Sequence, residues 1–251
     1  GIISQIYTAS KTPIFIRNYD WSLDSCPIYS VVHNDLSDGI PNISFTDLYL
    51  GAYGGVNKKG LSIAINGGHT YIGDFAPGIS MNLIVQWILD HFQSTNDAVK
   101  FLRKIPHLWA FIYNICDKDG HAARIETCPE TIIEKNINVK KWDSELLIQT
   151  NHYQSAEMQA LEDPKKIPES SKPRFNNLKK WLTRHQGKVT IDMMKNFMGT
   201  PVKKGGICDT WEFYGNSGGT IWSWLYDYHN EEIHYTDGPT ATANWHSFKF
   251  S

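Results

Sequence analysis

Residues 1–21 read GIISQIYTASKTPIFIRNYDW, and the folding of this stretch decides how the rest is arranged. Two apolar runs, 2–8 and 13–21, flank the turn segment Ala9, Ser10 and Lys11, a pattern that predicts a β-hairpin. Side chains alternate faces along a strand, so Ile14 and Ile16 share one face while Phe15 and Arg17 share the other. Arg17 and Asp20 are three apart and point oppositely unless the strand bends or bulges near Asn18 and Tyr19. Two readings of this pair stand side by side: an ion pair at a strand end, or two charges aimed into a site. Pairing of 2–8 with 13–19 brings the amino terminus beside Arg17 and Asp20. An α-amino group has a reference pKa of roughly 7.7–8.0 and can serve as a base near neutral pH. Gly1 presents that amine with no side chain of its own.

Strand patterns continue at 28–33 (IYSVVH), 45–55 (FTDLYLGAYGG) and, after a Gly-led turn, in a segment that ends at Asn66 (NKKGLSIAING). The glycine pairs at 54–55 and 67–68 mark tight turns or close backbone approach. The period then changes. Met81, Ile84, Val85, Ile88 and Leu89 fall at helical spacing behind Ser80 as N-cap. A second helix, 94–105, is capped by Ser94 or Thr95 and stopped by Pro106. Strands return at 109–116, 121–127, 131–136 and 145–151. A polar, Pro-bearing loop at 162–174 leads into helices at 175–185 and 190–198. Strands at 219–228, 231–238 and 243–250 close the chain, the first two joined around His229–Glu232. Strands in blocks separated by helix pairs, without βαβα alternation, argue against a doubly wound parallel sheet. They predict an α+β fold in one domain, 1–251, with two mainly antiparallel sheets and helices on the outside.

Composition narrows the function. Of 251 residues, 41% are hydrophobic and 20% charged, enough for a packed core. A formal net charge of -2 leaves no electrostatic footprint for nucleic acid. The basic pairs at 58–59, 140–141, 165–166 and 203–204 read as solvated surface. No apolar run reaches the ~18 residues of a membrane span. No signal peptide pattern opens the sequence, which is compatible with a cytoplasmic location or with a leader already removed. Cys26, Cys116, Cys128 and Cys208 lack zinc or redox spacing and read as reduced, partly buried small apolar residues. Ten histidines show no metal-ligand spacing, so neither a metal nor a cofactor is expected. Trp21, Tyr53, Trp87, Trp109, Trp211 and Trp222 read as core, although aromatic-rich walls also suit acyl groups.

The stretch IRNYDW (16–21) resembles the second-strand motif of the amino-terminal-nucleophile amide hydrolases of the choloylglycine hydrolase and isopenicillin-N acyltransferase type. In that family the nucleophilic cysteine lies sixteen residues before the motif's arginine, which from Arg17 is position 1. Further likenesses follow in order: KKGLSIAING ending at Asn66, GHAARIETCPETIIE, LLIQTNHY with Asn151, SKPR with Arg174, and the closing segment GTIWSWLYDYHNEEIHYTDGP. Without the resemblance, Asn66 reads as a turn residue before Gly67, Asn151 as a strand-end cap, and Arg174 as an exposed helix start.

The resemblance implies a four-layer αββα sandwich, no cofactor, and a small-molecule N-acyl amide as substrate; a homo-oligomer is compatible with it. It implies acyl transfer by a thiol at position 1, with the α-amine as proton acceptor and donor. Asp20 would orient the amine and Arg17 would favour the thiolate. The backbone N–H of Asn66 and the side-chain amide of Asn151 would form the oxyanion hole, and Arg174 would hold the shell in place. Position 1 departs from the pattern, because it is Gly. Ser4 lies about 10 Å along an extended strand, at roughly 3.3 Å per residue, too far to substitute. The chain as written is therefore expected to be an inactive variant of a linear amide C–N hydrolase or acyltransferase, of the smaller acyltransferase-like branch. The alternatives are a non-catalytic binding homologue that keeps the pocket, and a structural β-sandwich in which Arg17 and Asp20 are only an ion pair.

Overall fold

A computed structural model describes residues 1–138, 146–213 and 216–250. Along the chain run β1 (Ile2–Ile3), β2 (Ile14–Ser22), β3 (Ser30–Asn34), β4 (Asn42–Thr46), β5 (Gly54–Asn57) and β6 (Ser62–Gly67). Helices α1 (Met81–His91) and α2 (Thr95–Leu102) follow, then β7 (Phe111–Cys116), β8 (His121–Cys128) and β9 (Thr131–Asn138). After α3 (Ala156–Gln159), α4 (Ser171–Arg184) and α5 (Ile191–Met198), the chain ends in β10 (Thr210–Phe213), β11 (Asn216–Asp227), β12 (Glu232–Thr236) and β13 (Trp245–Lys249). Two compact units result. Unit one comprises Gly1–Ser30, Val139–Ile148 and Lys172–Ser251; unit two comprises Val31–Asn138 and Gln149–Ser171.

Unit one is built on a sheet in the order β1-β2-β11-β12-β13, with β10 added on β11. The pairs are antiparallel, and β2 against β11 is the longest, running from Ile14↔Asp227 to Ser22↔Gly218. Aromatic stacking strengthens that pair: Phe15 lies on Trp224 with ring centroids 5.1 Å apart, and Tyr19 on Trp222 at 4.4 Å. Ile3, Ile14, Ile16 and Leu225 form one buried cluster with Leu178 and Leu182 of α4 and Met194, Phe197 and Met198 of α5. The alternation expected from the sequence thus turns the isoleucines toward helices. The hairpin is shorter than expected. Pairing stops at Ile3↔Ile14, because the backbone turns at 4–8, where Tyr7 N–H donates to Ser4 O and the Thr8 hydroxyl to Thr12 O at 2.8 Å.

Unit two carries a seven-stranded sheet in sequence order, β3 through β9, antiparallel from β4 onward. Ile84, Val85, Ile88 and Leu89 of α1 and Ala98, Val99 and Leu102 of α2 bury against Ile63, Ile65, Tyr113, Ile115 and Ile125 of that sheet. Burying a side chain of this size contributes about 1.5–3 kcal/mol. Ser94 caps α2, its hydroxyl accepting from Asp97 N–H. Ser80 occupies the cap position of α1, but its side chain makes no cap bond there and donates to the Asn82 side chain instead.

Several expectations are corrected. The segment 145–151 is not a strand: within its described part Leu147 makes only an isolated bridge, to Ile2. The strand pattern at 45–55 divides into β4 and β5 around exposed Leu48, Tyr49 and Leu50. Helix α4 begins at Ser171, inside the segment read as loop, and β10 and α3 had no clear pattern. Trp222 is fully buried as expected, whereas Trp21, Trp87 and Trp211 are 47%, 50% and 37% exposed. Lysines 58, 59, 165, 166, 203 and 204 are exposed; the pair at 140–141 and Glu145 lie outside the described residues. No disulfide joins the four cysteines. Among the described residues no helix is long and apolar enough to cross a membrane, and no cluster of three or more His, Cys, Asp or Glu could hold a metal ion.

Candidate active site

Strand pairing seats the terminal residue. Gly1 and Ile16 exchange two backbone bonds: the Gly1 amine donates to Ile16 O at 2.8 Å, and Ile16 N–H donates to Gly1 O at 2.9 Å. On the other side Ile2 N–H donates to Leu147 O at 3.0 Å. A Cβ built on Gly1 would lie 3.5 Å from Leu147 O, 3.7 Å from Leu178 Cδ2 and 3.8 Å from Ile148 Cα, all ordinary contacts. The seat therefore admits a β-carbon without displacing anything. Burial, reinforced by the Arg17 charge, lowers the pKa of the amine from 8.0 to about 4, so it is an uncharged base at neutral pH.

Arg17 lies in the same neighbourhood. Burial lowers its pKa to about 10, while Asp20 works in the opposite direction. Its guanidinium carbon stands 5.7 Å from the Tyr19 ring centroid, and its buried Nε has no hydrogen-bond partner among the described residues. Asp20 is gripped at both oxygens. Arg174 Nη1 donates to Oδ2 at 2.6 Å and Thr220 Oγ1 donates to Oδ1 at 2.6 Å. Arg174 Nε stands 3.7 Å from Asp209 Oδ2, and Asp209 N–H donates to Thr220 Oγ1 at 2.8 Å. Burial raises the Asp20 pKa despite Arg174 and Thr220, both of which favour the carboxylate.

Two details of the sequence reading change here. Asp20 does not hold the amine; Ile16 O does, and Asp20 is committed to Arg174 and Thr220. Nor does β2 carry the bulge. The register slips between Thr220 and Trp222, so the extra residue is Ile221 of the partner strand. A bulge bends the pair locally and rotates nearby side chains, and this one sits opposite Tyr19 and Asp20. Arg174, in the first turn of α4, is only 6% exposed and is no surface helix start. Asp209 and Thr220 were missed by sequence reasoning; nothing in their local pattern marks them.

Asn66 and Asn151 belong to unit two. Asn66 is not a turn residue: it lies inside β6 opposite Ile112, 5% exposed, with its side-chain oxygen accepting from Asn114 Nδ2 at 3.2 Å. The glycines after it allow close approach, since a Cβ on Gly68 would come 2.2 Å from Tyr153 Oη and 2.5 Å from Ala110 O. Asn151 sits in a turn whose backbone N–H donates to Ser171 Oγ at 2.9 Å. Just beyond it, the buried Glu126 accepts from Gln154 N–H at 2.7 Å, Ser155 N–H at 3.0 Å and the Ser155 hydroxyl at 2.5 Å. Glu126 was also missed, because its partners lie 28 and 29 residues away.

The family profile described as acyl-coenzyme A:6-aminopenicillanic acid acyl-transferase matches residues 7–241. The chain belongs to this family. Its fold is shared by solved structures of low sequence identity. A penicillin V acylase from Agrobacterium tumefaciens is 15% identical, with a TM-score of 0.63 over 99% of this chain and 84% of that one. A variant of the conjugated bile acid hydrolase from Clostridium perfringens is 12% identical, with a TM-score of 0.62 over 100% and 96%. A Caenorhabditis elegans ortholog of N-acylethanolamine-hydrolyzing acid amidase is 13% identical, with a TM-score of 0.60 over 100% and 99%. No curated protein matches the chain. The acyl-transferase family and the α+β fold of two antiparallel sheets with helices support amide hydrolase or acyltransferase chemistry of the amino-terminal-nucleophile type.

Proposed function

We propose that the protein is built, as one domain, to cleave or transfer the acyl group of a linear N-acyl amide, with position 1 as the seat of a thiol nucleophile. The observation that carries this reading is the state of the amine. It is buried, aligned by Ile16 and uncharged near neutral pH, beside an α-carbon on which a β-carbon meets its neighbours at ordinary contact distances. As a thiol there attacks the amide carbonyl and forms the C–S bond, its proton would pass to the amine in the same step, because an amine with a pKa of about 4 is too weak a base to deprotonate a thiol beforehand. The amine would return that proton to the leaving nitrogen as the C–N bond breaks. Water or an acceptor amine would then release the acyl group from the thioester. Arg17 supports thiolate character by charge, and Arg174 with Asp20 forms the rigid base of the seat. Asn66 N–H and the Asn151 side-chain amide serve as oxyanion donors, each worth about 2.7–4 kcal/mol in such sites.

A polypeptide whose first residue is Gly1 has the base without the nucleophile, and on this reading is inert. Gly1→Cys is expected to create cleavage of N-acyl amides, measured on a panel of acyl amides, penicillins and conjugated bile salts. Acyl-enzyme of the expected added mass should appear by intact mass spectrometry. A folded Gly1→Cys protein that forms no acyl-enzyme with any of them would overturn the reading. The missing side chain favours one other role, a binding homologue. Saturable binding of an acyl amide to the Gly1 protein, with no turnover by Gly1→Cys, would support that role instead.

A further inference from the structure

Unit two presents Asn66 and Asn151 on separate segments, and one carboxylate oxygen joins them. Glu162 Oε1 accepts from the Thr70 hydroxyl at 2.8 Å and from Tyr153 N–H at 3.2 Å. Thr70 lies four residues after Asn66, and Tyr153 two after Asn151. The backbone around Glu162 repeats the link to the first segment. Tyr71 and Glu162 form an antiparallel bridge, Ile72 N–H donates to Leu161 O at 3.0 Å, and Asp163 N–H donates to Thr70 O at 2.7 Å. A second tie runs the other way. The Tyr153 ring is fully buried, and its hydroxyl lies against Gly68, where no Cβ would fit. Glu126 anchors the same turn from β8 through residues 154 and 155, so Tyr153 is held on both sides.

We propose that Glu162 is a positioning residue that fixes the separation of the Asn66 and Asn151 oxyanion donors by binding both of their segments through one carboxylate oxygen. The proposal rests on the roles proposed above for Asn66 and Asn151. Glu162 touches no reacting atom. It acts because an oxyanion hole depends on the distance between its donors. A misplacement of ~1 Å far from the chemistry is enough to reduce a rate about 10²-fold. A carboxylate is suited to this task, since charge-assisted bonds are shorter and stiffer than neutral ones. One oxygen shared by two donors also transmits a shift in either segment to the other.

The test uses the Gly1→Cys protein and a chromogenic N-acyl amide that it cleaves. Glu162→Ala is expected to lower kcat by about 10–100-fold with KM held within about twofold, because the donors act on the transition state rather than on the bound ground state. Glu162→Gln keeps an acceptor oxygen and is expected to stay within about threefold of the parent. Thr70→Val removes only the hydroxyl donor, and a fall in kcat of about threefold to tenfold is expected, with Thr70→Ser restoring it. If Glu162→Ala does not fold, the two Thr70 variants decide. A kcat within about twofold of the parent for Glu162→Ala, or a rise in KM at unchanged kcat, overturns the proposal; so does parent-like Thr70→Val. If Gly1→Cys cleaves nothing, the functional reading falls by itself, and the brace is read by amide hydrogen exchange in the Gly1 protein. Faster exchange in Glu162→Ala both at 66–70 and at 151–155 supports it, and a change confined to either segment overturns it.

Discussion

In unit one, charged groups meet one another: Arg174 reaches Asp20 and Asp209, and the Arg17 charge adds to burial in keeping the Gly1 amine unprotonated. In unit two, carboxylates are held chiefly by backbone, Glu126 and Glu162 accepting from the N–H groups of residues 153–155, with Arg124 Nε standing 3.3 Å from Glu126 Oε1 as well. The first arrangement sets protonation, which a proton-transferring seat requires. The second sets position through hydrogen bonds to backbone, which suits the oxyanion donors proposed above. Failure should differ accordingly. Unit one should be sensitive to pH and to the loss of one ion, and unit two to volume and geometry.

The largest effect expected concerns the amine. An unfolded amine titrates at 8.0 and the folded one at about 4, so between those values the unfolded chain holds a proton that the folded chain does not. Stability should therefore rise with pH across this window, by up to about 1.4 kcal/mol per pH unit, and level off above pH 8. The lowered pKa values of His69, His107 and His234 add a slope of the same sign, chiefly around and below their unfolded value near 6.5. Between pH 7 and pH 8 the amine supplies most of the slope, so urea unfolding of the Gly1 protein at these two values reads it, and equal stabilities there would remove the basic seat from unit one.

Next comes Arg174→Leu, which strands Asp20 in a buried site beside Asp209. A loss of about 3–5 kcal/mol is expected, measured by chemical denaturation at pH 7, with part of it regained at lower pH as Asp20 takes up a proton. A smaller effect should break unit two by volume alone. Gly68→Ala places a methyl against Tyr153 Oη and Ala110 O and is expected to cost about 1–3 kcal/mol. Tyr153→Phe should relieve some of that cost, because it removes the nearer atom. If the double variant is no more stable than Gly68→Ala, the tyrosine is not the constraint and Ala110 O is.

The local periods were sufficient for most of the scaffold. β2 appears with its isoleucines turned as alternation requires, and the buried faces of α1 and α2 follow the helical spacing of their apolar residues. Less was legible where the decisive partner is remote. Asp20 finds Arg174 at a sequence distance of 154 and Thr220 at 200, so no local pattern could assign its role. The bulge that shapes this corner belongs to Ile221, on the other strand of the pair, where the pattern of β2 alone gives no sign of it. Arg174 and Asn151 were singled out through resemblance rather than spacing. Glu126 and Glu162 escaped notice because a carboxylate that accepts from backbone leaves no sequence signature on its partners.

The paired bonds between Gly1 and Ile16 have a consequence for covalent processing. Any peptide joined ahead of Gly1 would turn its nitrogen into an amide, which has no basicity to tune. The fold around it could persist with every other contact in place, yet the proton acceptor would be gone. On the proposed chemistry, competence is therefore decided by a single peptide bond at the head of the strand, and a protease or an added tag could grant or withhold it without altering the core.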